Sequence, residues 1–125
     1  MIDITIFTPT YNRKETLKLA YLSLKKQTTK NFKWLIIDDG SKDNTEKIVN
    51  NWKDEGVIRI EYIKKENGGK HTAYNLALKH CNTEYMLVLD SDDYLTENAI
   101  YDLENYVHNV DMDRIWGIVG PKILK

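Results

Sequence analysis

The chain has 125 residues, with 18 Lys or Arg against 19 Asp or Glu and a formal net charge of -1. This length and a composition of 42% hydrophobic and 30% charged residues are typical of one soluble globular domain, covering residues 1–125. The balanced charge argues against nucleic acid or a membrane surface as the main partner. The single Cys81 excludes an internal disulfide, and no apolar run approaches membrane-spanning length, so we expect a cytoplasmic location.

Strand-like and helix-like patterns alternate along the chain. The predicted strands are residues 2–8, 32–37, 58–62, 85–89 and 116–119. Between them, apolar residues recur at helical spacing within residues 17–24, 48–52, 73–80 and 100–107. Apolar and charged residues alternate in the third strand, which indicates a position near a sheet edge. The order βαβαβαβαβ predicts an α/β domain, with a mainly parallel sheet covered by helices.

Three of the predicted strands end in polar loops. Their sequences are Thr-Pro-Thr-Tyr-Asn at residues 8–12, Asp-Asp-Gly-Ser at 38–41 and Asp-Ser-Asp-Asp at 90–93. Parallel strands bring such loops to the same edge of a sheet, where ligands of open α/β sheets bind. Clustered carboxylates repel one another, and a divalent metal such as Mg²⁺ or Mn²⁺ relieves that repulsion while binding substrate phosphates. An isolated D-x-D is more often a solvated turn or a helix cap. Here the buried strand before it and the second acidic loop favour the metal.

The same loops carry a family resemblance. Residues 8–13, 37–45 and 89–93 resemble, in order and spacing, the motifs of family 2 glycosyltransferases, which have the GT-A fold, and the resemblance extends from about Ile4 to Pro121. It implies a Rossmann-like GT-A fold with helices on both faces of the sheet. It also implies inverting transfer of a sugar from a nucleotide-diphosphate donor, with a UDP-sugar favoured, to an acceptor hydroxyl. Mn²⁺ or Mg²⁺ would be the cofactor, and a polysaccharide or glycoconjugate the product.

The resemblance further implies roles for individual residues. The loop from Pro9 to Tyr11 would flank the nucleotide base, and Asp39 or its neighbour Asp38 would accept from a base N–H. Lys70 or His71 would bring positive charge near the diphosphate. The nucleotide-binding residues implied are Pro9, Thr10, Tyr11, Asn12, Asp38, Asp39, Lys70, His71, Asp90 and Ser91. For the metal, the resemblance implies Asp92 first and Asp93 next.

Members of this family usually extend well beyond the point at which this sequence ends. We therefore expect this chain to be the donor-binding part, with the general base and the acceptor-binding part beyond residue 125. The acceptor would be a glycan or a lipid-linked molecule, and the full-length enzyme could associate peripherally with a membrane. Many members have Arg-Asn where this chain has Tyr74-Asn75, which puts the role of that arginine in doubt.

Three alternatives are weighed against this interpretation. A receiver-type signalling domain, phosphorylated on Asp, has its acid pair after the first strand, where this chain has Thr8-Pro9-Thr10. A nucleotidyltransferase has a Gly-rich basic loop there instead. A non-catalytic sugar-nucleotide-binding module is not distinguished from an enzyme by the sequence.

Overall fold

The structure, a computed structural model, describes residues 4–109, and side chains up to residue 105. Four strands alternate with four helices: β1 (Ile4–Thr10), α1 (Lys14–Lys25), β2 (Lys33–Asp38), α2 (Thr45–Glu55), β3 (Arg59–Lys64), α3 (Lys70–His80), β4 (Tyr85–Val88) and α4 (Ala99–Asn109). The predicted α/β class is confirmed. The strand predicted at residues 116–119 lies outside the described residues.

The four strands form one parallel sheet in the order β3-β2-β1-β4. In its register, Thr10 pairs with Asp38 and Asp38 with Lys64, so the carboxyl ends of β1, β2 and β3 are level. β3 lies at an edge, as its alternating pattern predicts, and both of its terminal residues are exposed. A parallel sheet with level ends collects the following loops on one side of the molecule.

Both faces of the sheet are covered by helices, as predicted. Side chains of a strand alternate between the two faces, so in β2 Trp34 and Ile36 join one core while Leu35 and Ile37 join the other. The first core packs against α1, α2 and α4, and the second against α3. Every residue of β1 is buried, its three threonines included, because both faces of this central strand are covered.

A stack of three aromatic side chains joins α1, β2 and α2 in the larger core. The rings of Tyr21 and Trp52 are 4.3 Å apart, and Trp34 lies 5.9 Å from Trp52 and 6.1 Å from Tyr21. The Tyr21 hydroxyl donates to Glu55 at 2.5 Å, and burial together with that carboxylate raises the pKa of Tyr21. Stacked aromatic pairs contribute about 0.5–1.5 kcal/mol beyond the area they bury. This stack fixes both helices on the sheet.

None of the helices described in residues 4–109 is long and apolar enough to cross a membrane.

Candidate active site

A pocket of about 350 Å³ opens where the loops after β1, β2 and β4 meet the beginning of α3. The residues that line it are Pro9, Thr10, Tyr11, Arg13, Asp39, Lys70, Ala73, Asp90, Ser91 and Asp92. The three polar loops therefore lie together at one edge. Eight of the lining residues are among those named from the sequence, and Arg13 and Ala73 are not.

The acidic loop after β4 begins in a fixed position. The Leu89 N–H donates to the Phe7 carbonyl at 2.8 Å, which continues the pairing of β4 with β1 by one residue, and the turn at Asp90 is closed by a 3.0 Å bond from the Asp93 N–H. Carboxylate oxygens of Asp90, Asp92 and Asp93 all lie within 4.8 Å of one another. Burial, followed by the negative charges of Asp92 and Asp90, raises the pKa of Asp93, while Lys70 opposes the shift. This set of hard oxygen ligands fits Mn²⁺ or Mg²⁺, which would offset the repulsion.

Two basic side chains that line the pocket approach the acidic loop. Lys70 Nζ lies 2.8 Å from Asp90 Oδ1, and Arg13 Nη1 lies 3.5 Å from Asp92 Oδ2. The exposed fractions of Lys70 and Arg13 are 66% and 55%, so each pair contributes less than about 1 kcal/mol and exchanges partners easily. The approach of Lys70 does not have hydrogen-bond geometry, and Asp90 Oδ1 has no hydrogen-bond donor among the described residues.

Asp39 is the best-anchored carboxylate in the pocket. Its Oδ1 accepts from Lys65 Nζ at 2.6 Å and from the Gly68 N–H at 2.9 Å, and its Oδ2 accepts from the Gly69 N–H at 2.9 Å. Burial opposes its ionisation, but these donors outweigh burial and hold the pKa of Asp39 below its usual value. Asp39 is therefore ionised at neutral pH, and it holds the loop before α3 against the end of β2.

Four residues named from the sequence do not line the pocket: Asn12, Asp38, His71 and Asp93. Asp38 is fully buried, and it accepts from the Ser41 N–H at 2.8 Å and the Tyr62 hydroxyl at 2.5 Å. Asn12, at a φ of 52°, accepts from the Lys42 N–H at 2.8 Å and joins the loops after β1 and β2. His71 is exposed.

A buried glutamine tethers the chain that follows the acidic loop. Gln27, at the end of α1, donates to the carbonyls of Ser23 and Thr96 at 3.1 and 2.7 Å and accepts from the Ile100 N–H at 3.1 Å. Nearby, the Leu95 N–H donates to Ser23 Oγ at 3.2 Å. These bonds hold the β4–α4 connection against α1. No sequence pattern predicts these bonds, because they join residues that are 69 to 73 positions apart.

The model of the family described as Glycosyl transferase family 2 matches residues 5–120. The chain belongs to glycosyltransferase family 2. Membership in this family decides against the receiver-domain and nucleotidyltransferase alternatives.

Among family 2 relatives, the chain is similar to the poly(ribitol-phosphate) beta-N-acetylglucosaminyltransferase TarP of Staphylococcus aureus, at 37% identity over 122 residues. That match covers 96% of this chain and 37% of TarP, so the chain spans little more than a third of that relative's length.

Solved structures of glycosyltransferases have the same fold. S. aureus TarS 1-349, in complex with UDP-GlcNAc, matches with a TM-score of 0.77 and 27% identity, covering 86% of this chain and 31% of that one. The mannosyltransferase PcManGT of Pyrobaculum calidifontis, in complex with GDP-Man and Mn²⁺, also has a TM-score of 0.77, at 21% identity, covering 85% and 32%. These matches confirm the GT-A fold.

Proposed function

We propose that this chain is the donor-binding part of an enzyme that transfers a sugar from a UDP-sugar to an acceptor hydroxyl with the help of a divalent metal. The observation that carries the proposal is one pocket lined by a fixed carboxylate, Asp39, and by Asp90 and Asp92, whose carboxylate oxygens lie within 4.8 Å of each other and of Asp93. Family membership and similarity to enzymes named as N-acetylglucosaminyltransferases support the same function.

In this proposal Asp92 would be the first metal ligand and Asp93 the second, and Asp90 would contact the nucleotide. Mn²⁺ or Mg²⁺ needs only one or two protein carboxylates and takes its remaining ligands from diphosphate and water. A bound metal would stabilise the negative charge that develops on the departing diphosphate. Burial, and after it the charges of Asp92 and Asp90, raise the pKa of Asp93, and a cation beside the cluster would relieve the repulsive part of that shift, which supports the assignment.

Lys70 and Arg13 are proposed to bind the diphosphate. Each is paired with one carboxylate of the acidic loop, at 2.8 and 3.5 Å. A divalent cation bound to those carboxylates would compete with both side chains. Because both are exposed and lie on the pocket wall, they then need only rotate to meet the phosphate oxygens.

The nucleotide base is assigned to the side of the pocket formed by Pro9, Tyr11 and Asp39. The Tyr11 side chain is 42% exposed, which leaves an aromatic surface on which a base can stack. Asp39 is ionised and acts only as an acceptor, so it suits a base with an N–H at the facing edge, as uracil has. These features favour a UDP-sugar as the donor.

The acceptor and the general base are assigned to other parts of the whole protein. The carboxylates of this pocket are already assigned to the metal and to the nucleotide. The relatives are also much longer than the matched region. By analogy with TarP, which is named as a poly(ribitol-phosphate) beta-N-acetylglucosaminyltransferase, we propose a polyol-phosphate polymer or another glycan as the acceptor. The proposed reaction inverts the anomeric configuration and yields a polysaccharide or glycoconjugate.

The test is a calorimetric titration with UDP, GDP and ADP, each with and without Mn²⁺. We expect UDP to bind in a Mn²⁺-dependent manner and to raise the melting temperature, because a ligand of the native state stabilises it. Asp92→Ala should abolish the Mn²⁺ dependence, whereas Asp54→Ala, at an exposed position on α2, should not change it. UDP binding that is equally sensitive to Mn²⁺ in Asp92→Ala would show that Asp92 is not the ligand.

A further inference from the structure

Lys65 follows the last residue of β3 and is directed back across the end of β2. Its N–H donates to the Asp38 carbonyl at 2.9 Å, which extends the pairing of the two strands by one residue. Its ammonium group lies 2.6 Å from Asp39 Oδ1 and also donates to the Glu66 carbonyl at 2.6 Å. The exposed fractions of the two side chains are 18% for Lys65 and 9% for Asp39. This pair is shielded from water, unlike the exposed pairs of Arg13 and Lys70.

The lone pairs of Asp39 are nearly all engaged. An ionised carboxylate has about four acceptor sites. Oδ1 accepts from Lys65 and Gly68, and Oδ2 accepts from Gly69, which leaves one site, on Oδ2. Because Asp39 lines the pocket and Lys65 does not, Asp39 offers the pocket one acceptor in a fixed direction.

The turn around this carboxylate is closely packed. A Cβ atom at Gly68 would lie 3.2 Å from Lys65 Nζ and 3.0 Å from Thr72 Oγ1, closer than side chains normally pack. The Lys65 ammonium group therefore fills the space beside a residue that has no side chain. With Lys65 shortened or uncharged, Asp39 would lose its shortest donor and gain freedom to rotate.

We propose that Lys65 is a positioning residue for nucleotide selectivity. It fixes Asp39 so that the remaining acceptor site of this carboxylate selects uracil, which has a ring N–H at the facing edge, over cytosine, which has a ring acceptor there. This inference rests on the proposed function, because it takes Asp39 as the residue that meets the base. Lys65 itself does not touch the nucleotide.

The experiment compares the dissociation constants of UDP and CDP at pH 7 with Mn²⁺ for the wild type, Lys65→Met, Lys65→Arg and a control, Lys64→Met. Lys64 is adjacent and exposed, so its replacement removes the same charge without touching Asp39. We expect Lys65→Met to weaken UDP binding about tenfold, as for the loss of one charge-assisted hydrogen bond, and to change CDP binding much less. Lys65→Arg should restore part of the preference, and Lys64→Met should match the wild type.

A merely structural role is distinguished by the pH dependence. Removal of the ammonium group makes Asp39 easier to protonate. The acid limb, which is the loss of UDP affinity as the pH falls, should therefore lie at higher pH in Lys65→Met than in Lys64→Met. The two variants have identical metal ligands, so a difference between them does not come from the metal site. An unchanged ratio of UDP to CDP affinity in folded Lys65→Met, or an unchanged acid limb, would overturn the inference. If wild type shows no Mn²⁺-dependent UDP binding, the proposed function fails instead.

A second measurement covers the case in which Lys65→Met does not fold. The carboxyl carbon of Asp39 can be titrated by NMR in the wild type without ligand. A midpoint clearly below the ordinary value of about 3.9 supports a carboxylate held ionised by its donors, and a midpoint at or above it overturns the inference.

Discussion

Gln27 connects the stability of the fold to the position of the acidic loop, and Gln27→Met tests that connection. Methionine has nearly the same length and volume but cannot replace the amide. The side chain is 2% exposed, so water cannot substitute for the lost bonds. The change leaves the Thr96 carbonyl and the Ile100 N–H without their side-chain partner.

The Ile100 N–H is left without a partner, which costs about 1–3 kcal/mol, whereas the Thr96 carbonyl still accepts from the Ala99 N–H at 3.1 Å. The lost bonds to the Ser23 and Thr96 carbonyls add about 1 kcal/mol, so the expected loss is about 2–4 kcal/mol. That is a large fraction of the roughly 5–15 kcal/mol by which a domain is stable, but it does not prevent folding. The loss should also loosen the segment after Asp93. Mn²⁺ binding should then weaken as well, because the acidic loop must be ordered again when the ion binds.

The assay is urea unfolding followed by tryptophan fluorescence, together with a Mn²⁺ titration. Lys26→Met places the same side chain at the neighbouring exposed position and should change the free energy of unfolding by less than about 0.5 kcal/mol. If Gln27→Met is as stable as Lys26→Met, the three hydrogen bonds do not tether the loop and the reasoning is wrong.

Three further substitutions test local features of the same region. Thr10 Oγ1 is buried and has no hydrogen-bond partner among the described residues. Thr10→Val should therefore stabilise the protein by about 1 kcal/mol and raise its melting temperature by about 4 °C. A lower melting temperature would indicate that a bound water satisfies the hydroxyl. Gly40 has a φ of 89°, and a Cβ there would lie 3.1 Å from the Asn67 nitrogen, so Gly40→Ala should cost about 1–3 kcal/mol in urea unfolding. Burial opposes ionisation of Asp43, but bonds from Thr45 and the Lys14 N–H outweigh it and lower its pKa. The stabilisation that ionised Asp43 provides is therefore present above pH of about 4 and is lost as the pH falls. Asp43→Asn should lower the melting temperature most at pH 7, and the difference from the wild type should shrink below about pH 4. A difference that does not change with pH would contradict this.

Much of the fold is predictable because burial leaves a plain mark on the sequence. A central parallel strand is covered on both faces, so β2 is a nearly continuous apolar run that ends at a polar loop. β1 is equally buried but combines apolar residues with buried threonines. The edge strand β3 shows the alternation expected of a partly wet position. β4 ends at Val88, one residue before the predicted boundary, although the Leu89 N–H still donates to the Phe7 carbonyl.

The site is predictable only to the level of its loops. Parallel topology brings the three polar loops together, and the spacing of their motifs indicates the family. The direction of each side chain depends on the path of the loop, however. The chain turns at Asn12, which has a positive φ, and the next residue, Arg13, lines the pocket. A pattern of strands and helices does not predict this turn.

The adjacent acids Asp38 and Asp39 show why that level of detail needs the structure. Consecutive residues at a strand end point to opposite faces of the sheet, so the side chains of Asp38 and Asp39 meet different partners. Asp38 is fully buried with both oxygens engaged, by Ser41 and Tyr62, and it holds β2 to β3. Asp39 keeps one acceptor site and lines the pocket. A base contact needs a free lone pair at an accessible surface, and of these two neighbours only Asp39 has one, which is why the proposal assigns the base to Asp39.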